Sequence, residues 1–240
     1  MGEDPDLSAW ITNLYEEEVE YTDHELQRLW QALAANGQLD DTIVFIVSDH
    51  TEGLGEHGQI EHGAVLYEES LNVAIIMHVP MPGFEPRRIA YPARTVDMLP
   101  TVLELLNFAS GSTELQGESL VDVLRGATRT PPPSFARGDA WGIDQHSILD
   151  KEWRLIADNK TEERELYNLT EDPDESVNLP ESHPKIAQRM GKAFSKLRAL
   201  GAKLRLRSGA GQDLAVVDPA TQRELQGLSY GDGHDATPGD

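Results

Sequence analysis

The chain contains no cysteine, so disulfides and thiolate metal sites are both excluded. Positive charge is scarce too: 20 Lys and Arg stand against 42 Asp and Glu, giving a formal net charge of -22. A field of that sign excludes general affinity for nucleic acid or for an anionic membrane surface. It leaves either a well-solvated acidic surface or one that binds cations. No apolar run approaches the roughly 18 residues needed to span a bilayer, so no membrane insertion is expected. The opening Met1-Gly-Glu-Asp-Pro-Asp6 has neither a basic region nor an apolar stretch, and it is not read as a signal peptide. The sequence therefore assigns no compartment.

What is present suffices for a core. Hydrophobic residues make up 39% of 240 positions, enough for one large domain or two small ones. Leu7, Ile11, Leu14, Leu26, Leu29 and Leu33 fall at three- and four-residue steps, predicting one long amphipathic helix or two joined ones, stopped by Asn36-Gly37. Thr42-Ile-Val-Phe-Ile-Val47 is a continuous β-branched and apolar run, which suits a strand buried on both faces, as in a parallel sheet covered by helices. Asn72 to Val79 reads as the next sheet strand. Helices follow over Val96 to Leu106 and Ser119 to Leu124, completing an α/β layer.

Pro131-Pro132-Pro133 makes a stiff extended linker. Beyond it, pieces at 147–149, 153–156 and 165–169 predict a small antiparallel sheet, joined by a helix from about Pro184 to Leu200. The expected domains are thus an α/β unit over 1–130 and an α+β subdomain over 131–207. A polar tail over 208–240 carries a short helix that Asp218 caps and Gly227 ends.

The chemistry concentrates in Ser48-Asp49-His50-Thr51-Glu52-Gly53-Leu54-Gly55-Glu56-His57-Gly58, with Glu61-His62-Gly63 close behind. This places a carboxylate and several imidazoles at the carboxyl end of the first strand, where open α/β sheets bind ligands. On residue type alone, Asp49 is either a metal ligand or a loop and cap residue. His24, His78, His146 and His183 read as structural or surface residues. Tyr67, Glu68 and Glu69 read as solvated or paired with a nearby Arg, Asp23 as a packing residue, and Trp141, Trp153 and Tyr167 as core of the terminal sheet.

The run SDHTEGLGEHG…EHGAVLYEESLNV resembles the sulfatase pattern of the alkaline phosphatase superfamily: S-D-H/N-G after a strand, then L-G-E-H-G, then a tyrosine-glutamate segment. The similarity continues in family order. Asp97-Met-Leu-Pro-Thr101 resembles a D-x-x-P-T helix, Leu115-Gln-Gly-Glu-Ser-Leu120 an L-x-G-x-S-L turn, and Glu165-Leu-Tyr-Asn-Leu169 with Asp172, Pro173 and Glu175 an E-L-Y-D-L-x-x-D-P-x-E signature. The ending Gly227-Leu-Ser-Tyr230 is similar to the L-G-Y close of many members.

The resemblance implies the carboxy-terminal half of an alkaline-phosphatase-like α/β/α sandwich with a small α+β terminal subdomain. It implies sulfate ester hydrolysis on a small-molecule or carbohydrate sulfate ester. By the same resemblance, Asp49 and His50 sit where the family places two ligands of a divalent metal, most readily calcium, with magnesium, manganese and zinc as alternatives. His62 falls within about a residue of the family position that contacts the sulfate or leaving oxygen, or is a loop histidine bonding a carbonyl, and His57 either joins it or only shapes the loop. Two departures stand out: Thr51 replaces a glycine and Ala74 replaces a proline. The family's nucleophile, a formylglycine matured from C/S-x-P-x-R, has no counterpart, since the chain has neither Cys nor Ser-x-Pro-x-Arg. The chain alone is therefore expected to be inactive. Two rivals stay open: a phosphodiesterase, phosphonate hydrolase or phosphoethanolamine transferase of the same superfamily, and a non-catalytic fragment or binding module.

Overall fold

A computed structural model describes residues 5–63, 65–108, 115–138 and 144–207. The chain enters through α1, Pro5–Ala35. Its end is closed by paired backbone bonds, Gln38 N to Leu33 O at 2.9 Å and Gly37 N to Ala34 O at 3.0 Å, with Gly37 at φ 67°. This is a Schellman close, which requires the left-handed conformation that glycine adopts without penalty. Trp30 on α1 meets the His78 ring edge to face at 4.9 Å, so the helix is pinned to the strand that follows.

The apolar run becomes β1, Val44–Val47, and the tiny strands β2, Gly53–Leu54, and β3, Ile60–Glu61, form a separate hairpin. After α2, Glu68–Leu71, comes β4, Ile75–His78. β1 and β4 pair antiparallel, Val44 opposite His78 and Val47 opposite Ile75. This corrects the expectation of a parallel sheet buried on both faces: among the described residues the pair stands as a two-stranded ribbon with Val47 and Ile76 exposed. A continuous apolar run signals burial capacity but cannot fix strand direction. Ala74 turns its departure from proline to use, because its N–H donates to Ser48 Oγ at 2.9 Å.

α3, Met98–Leu105, follows a 3-10 turn at Thr95–Asp97, and α4, Val121–Leu124, comes next. The motifs D-x-x-P-T and L-x-G-x-S-L are one hydrogen-bonded unit. Asp97, 1% exposed, accepts from Arg94 Nη2 at 2.6 Å and from the Glu118 N–H at 2.9 Å. Thr101 Oγ1 donates to the Asp97 carbonyl at 2.6 Å and accepts from the Leu120 N–H at 3.0 Å. Gly117 is required here, since a Cβ would lie 1.9 Å from the Val96 carbonyl oxygen. Burial pushes the Asp97 carboxyl up, but the Arg94 guanidinium and the two backbone N–H groups hold it below the usual carboxylate range.

The terminal sheet runs in the order β5, Ser134–Gly138; β6, Gln145–Asp150; β7, Trp153–Asp158; and β8, Arg164–Asn168, each antiparallel to the next. The prediction of three strands omitted β5, which lies directly after the prolines. α5, Pro184–Arg207, starts with proline at its first position, as the missing N–H there costs nothing. Ile148, Leu155, Leu166, Ala187 and Met190 pack between the sheet and α5, with Phe135, Trp153 and Phe194 at the rim. On the opposite face Ile156 and Tyr167 pack against Leu66, with Tyr67 and Leu71 alongside. Alternation along β7 explains both layers: Leu155 faces α5, while Arg154 and Ile156 face the Leu66–Leu71 segment. The predicted helix at Asp218–Gly227, the tail that contains it, and Trp141 lie outside the described residues.

Replacing Asp97 with alanine is expected to cost about 3 kcal/mol, because it strands a half-buried guanidinium and two backbone donors. Urea denaturation gives the loss, and hydrogen exchange should show the Glu118 amide exposed; an unchanged Glu118 amide would contradict the shared-unit reading.

Candidate active-site loop

The segment from Ser48 to Gly63 leaves β1, forms the small hairpin and returns toward α2. Ser8 on α1 fixes one point by donating to the Leu54 carbonyl at 3.0 Å. Gly55, Gly58 and Gly63 have φ of 125°, 68° and 85°, so the turns rely on backbone conformations that side chains resist. Thr51 is not among the positive-φ residues, and the exchange for glycine there imposes no such strain.

The three residues expected to carry the chemistry are neighbours. The Asp49 side chain is 83% exposed, and its Oδ2 lies 3.9 Å from His50 Nε2. The His50 and His62 rings stack with centroids 4.0 Å apart and planes 24° apart. His62 Nδ1 lies 3.1 Å from Glu52 Oε2, and His50 Nδ1 lies 2.9 Å from the Thr51 carbonyl oxygen. A ring whose Nδ1–H donates to a carbonyl presents Nε2 as a ligand, the arrangement common in metal-binding histidines. The donor chemistry of Asp49 and His50 thus fits a divalent cation, though only in part. Among the described residues no group of three or more His, Asp or Glu could hold one, whereas a hard cation takes six or more ligands.

His57 is placed elsewhere. It adopts φ 50°, stacks on Tyr67 at 3.8 Å, and sets Nδ1 2.8 Å from Glu69 Oε1. Its Nε2 lies 3.2 Å from the carbonyl oxygen of Glu175, far along the chain. Burial lowers the His57 pKa, but Glu69 and the Glu175 carbonyl outweigh it and leave the imidazole raised above its ordinary value.

Around His57 lies a network that sequence reasoning missed in large part. Tyr67 donates to Glu165 at 2.7 Å, as does Tyr167 at 2.9 Å. Burial and Glu165 push both phenols well up. Arg154 on β7 is 3% exposed and pairs with Glu68 and with Glu175, whose side chain is 0% exposed. Glu175 Oε2 accepts from the Glu68 N–H at 2.6 Å. Arg154 Nε and Glu175 Oε1 are 2.8 Å apart but not aligned as a hydrogen bond, so their attraction is mainly that of charge. Burial pushes the Glu175 carboxyl up to about 7, against the downward pull of Arg154. The E-L-Y and D-P-x-E signatures flagged Glu165 and Glu175; nothing in the sequence flagged Arg154.

The other expectations divide. Glu68 and Glu69 are paired, Glu68 with an Arg and Glu69 with His57. His78, His146 and His183 contact Trp30, Phe194 and Trp153 respectively, as structural residues do. Asp23, expected to pack, is exposed on α1.

Residues 3–108 match the sulfatase family model. An arylsulfatase of Clostridium perfringens is 26% identical over 165 residues, covering 67% of this chain and 34% of that protein. A choline-sulfatase of Rhizobium meliloti is 28% identical over 185 residues, covering 75% and 35%. The yidJ sulfatase structure from Bacteroides fragilis superposes with a TM-score of 0.66 at 22% identity, over 75% of this chain and 40% of that one. A phosphonate monoester hydrolase of Agrobacterium radiobacter does so at 0.63 and 24% identity, over 74% and 39%. The chain spans about a third of the length of the curated relatives it matches. The sulfatase resemblance therefore holds, the partial coverage fits a carboxy-terminal portion, and the fold is part of the alkaline-phosphatase-like class expected.

Glu175 and His57 both have folded pKa values raised above their ordinary ones, from 4.5 to about 7 for Glu175. For each, the folded state binds more protons, so stability present at lower pH is lost as pH rises through the folded value. Thermal melting should therefore fall between about pH 5 and about pH 8, and Glu175→Gln should flatten much of that fall. A melting temperature that rises across this window would contradict the assignment.

Proposed function

We infer that this chain, a sulfatase-family segment by its sequence and fold, supplies the metal-binding and substrate-contacting loop of a hydrolase of sulfate esters. The observation that carries the reading is the stacking of His50 on His62 beside Asp49, within the residues that match the family. A candidate cation ligand and a candidate substrate contact thereby share one small site. Asp49 and His50 would hold a divalent cation, calcium before magnesium, manganese or zinc. Once bound, such an ion polarises the ester's sulfuryl oxygens as a Lewis acid. His62, with Nδ1 on Glu52, is the candidate donor to the sulfuryl or leaving oxygen, where preorganised donors act most strongly on developing charge.

The substrate is a small-molecule or carbohydrate sulfate ester. Relatives named arylsulfatase and choline-sulfatase support the small-molecule class. The nucleophile and the remaining ligands lie outside the 240 residues, and the chain alone does not turn over substrate. In support, large apolar side chains of α1 (Trp10, Val19, Leu29), β4 (Ile76) and α3 (Leu99) are exposed, as surfaces that pack against further protein would be. A second reading, phosphonate monoester hydrolysis, is favoured by the solved structure of that activity and by an imidazole at the second ligand position.

The 240-residue chain should hydrolyse no aryl sulfate above the uncatalysed rate. Expressed together with the in-frame sequence upstream of the Met1 codon, it should do so, and His62→Gln should lower kcat/KM by about 10²–10³-fold. Faster turnover of an aryl phosphonate than of an aryl sulfate would move the assignment to the second reading. A stop codon immediately upstream, with no activity, would remove the catalytic one.

A further inference from the structure

We propose that Glu175 and Arg154 of the terminal sheet region are positioning residues for the candidate active-site loop, acting through His57 and the Tyr67–Glu69 segment. The inference rests on the reading of that loop as the site, and it assigns to the terminal unit a role in setting the loop's geometry.

Two costly features coincide at Glu175. It is a non-glycine residue at φ 50°, and its carboxyl is fully buried beside Arg154. Strain and buried charge persist only where surrounding contacts over-determine them. Both features are answered by the same part of the molecule. The left-handed backbone presents the Glu175 carbonyl to His57 Nε2, and the carboxyl receives the Glu68 N–H. Arg154 completes the set by pairing with Glu68 and Glu175 together and by donating to the Leu66 carbonyl at 3.5 Å.

These contacts span 86 to 118 residues of sequence: two end on Glu68 at the start of α2 and one on His57 in the loop, and Glu69 of α2 meets His57 in turn. His57 follows Gly55 and Glu56, and Glu56 Oε2 accepts the Leu54 N–H at 2.7 Å. Leu54 pairs with Ile60, and Gly53 pairs with Glu61, the residue before His62. A movement at His57 is thus transmitted through a two-rung hairpin to the Glu52–His62 contact. The ionisable groups facing His57 are Glu69, Glu175 and Tyr67, with Asp172 acting at longer range. Those facing the Glu175 carboxyl are Arg154, Glu68 and Glu69, with His57 and Tyr67 also within electrostatic reach. Arg154 is the only permanent cation among them, so its removal would leave Glu68, Glu69 and Glu175 balanced by His57 alone.

The test uses the intact chain and needs no turnover, so it can fail or stand apart from the hydrolase reading. Proton–carbon NMR follows the ring titration of His57 and the chemical shifts of the His62 ring at fixed pH, while amide shifts of Ile148, Leu155 and Leu166 report the terminal sheet. In Glu175→Ala the His57 titration should drop toward the ordinary imidazole value and the Gly55, Gly58 and His62 signals should move, with the sheet signals in place. Glu175→Gln, which keeps the acceptor for the Glu68 N–H, should restore the loop signals. His57→Gln, at a residue near the surface, should move the His62 signals while leaving the sheet untouched; this arm decides should Glu175→Ala not fold. Loop and His62 signals unchanged in a folded Glu175→Ala, or unchanged in His57→Gln, would overturn the proposal.

Discussion

Arg154 is a buried cation in a chain with a large excess of negative charge, and the arrangement of the central region follows from the need to satisfy it. A guanidinium 3% exposed on β7 has no water to turn to, so it draws Glu68 and Glu175 inward. Glu175 comes in at the expense of a left-handed backbone and a carboxyl raised toward neutrality. Glu68 brings with it the whole Leu66–Leu71 segment, which covers the sheet face opposite α5. The terminal sheet and the loop region are therefore joined by charge and hydrogen bonds as well as by the apolar contact of Leu66 with Ile156 and Tyr167.

A second ion pair, the buried Asp97 with the half-buried Arg94, does the same for the helical part of the chain. Its carboxylate takes donors from two segments at once, and Thr101 bridges them from the other side. The motifs built on these residues are structural devices for joining α3 to the turn before α4. The candidate chemistry lies instead in the Asp49–His50–His62 group, which is neither deeply buried nor closed.

Much was legible in order along the chain. The helix stop at Asn36-Gly37, the strands at β1 and β4, the helix before Leu106 and three of the four terminal strands were all predicted, because each rests on local periodicity or on a turn residue. β5 was not, since Ser134-Phe-Ala-Arg-Gly138 has no clear alternation and follows a proline run that reads as linker. Strand direction was misjudged for β1 and β4, because an apolar run records burial and says nothing about the partner's orientation. The placing of His57 was open in the sequence; the fold sets its ring against Glu69 and the Glu175 carbonyl, apart from His50 and His62.

By itself the sequence determined the kind of chemistry available. An acidic chain without cysteine, with Asp49 and His50 directly after an apolar strand and His62 a short loop later, can offer oxygen and imidazole ligands and little else. It also determined the resemblance that gives those residues a context, since that resemblance is a matter of residue types in order. The tertiary structure alone decided which residues meet. The stacking of His50 on His62 and the convergence of Arg154, Glu68 and Glu175 with His57 join positions from a dozen to more than a hundred residues apart. No local periodicity encodes such meetings, because they arise from the packing of a segment onto a sheet face and from the requirement that every buried charge find its counterpart.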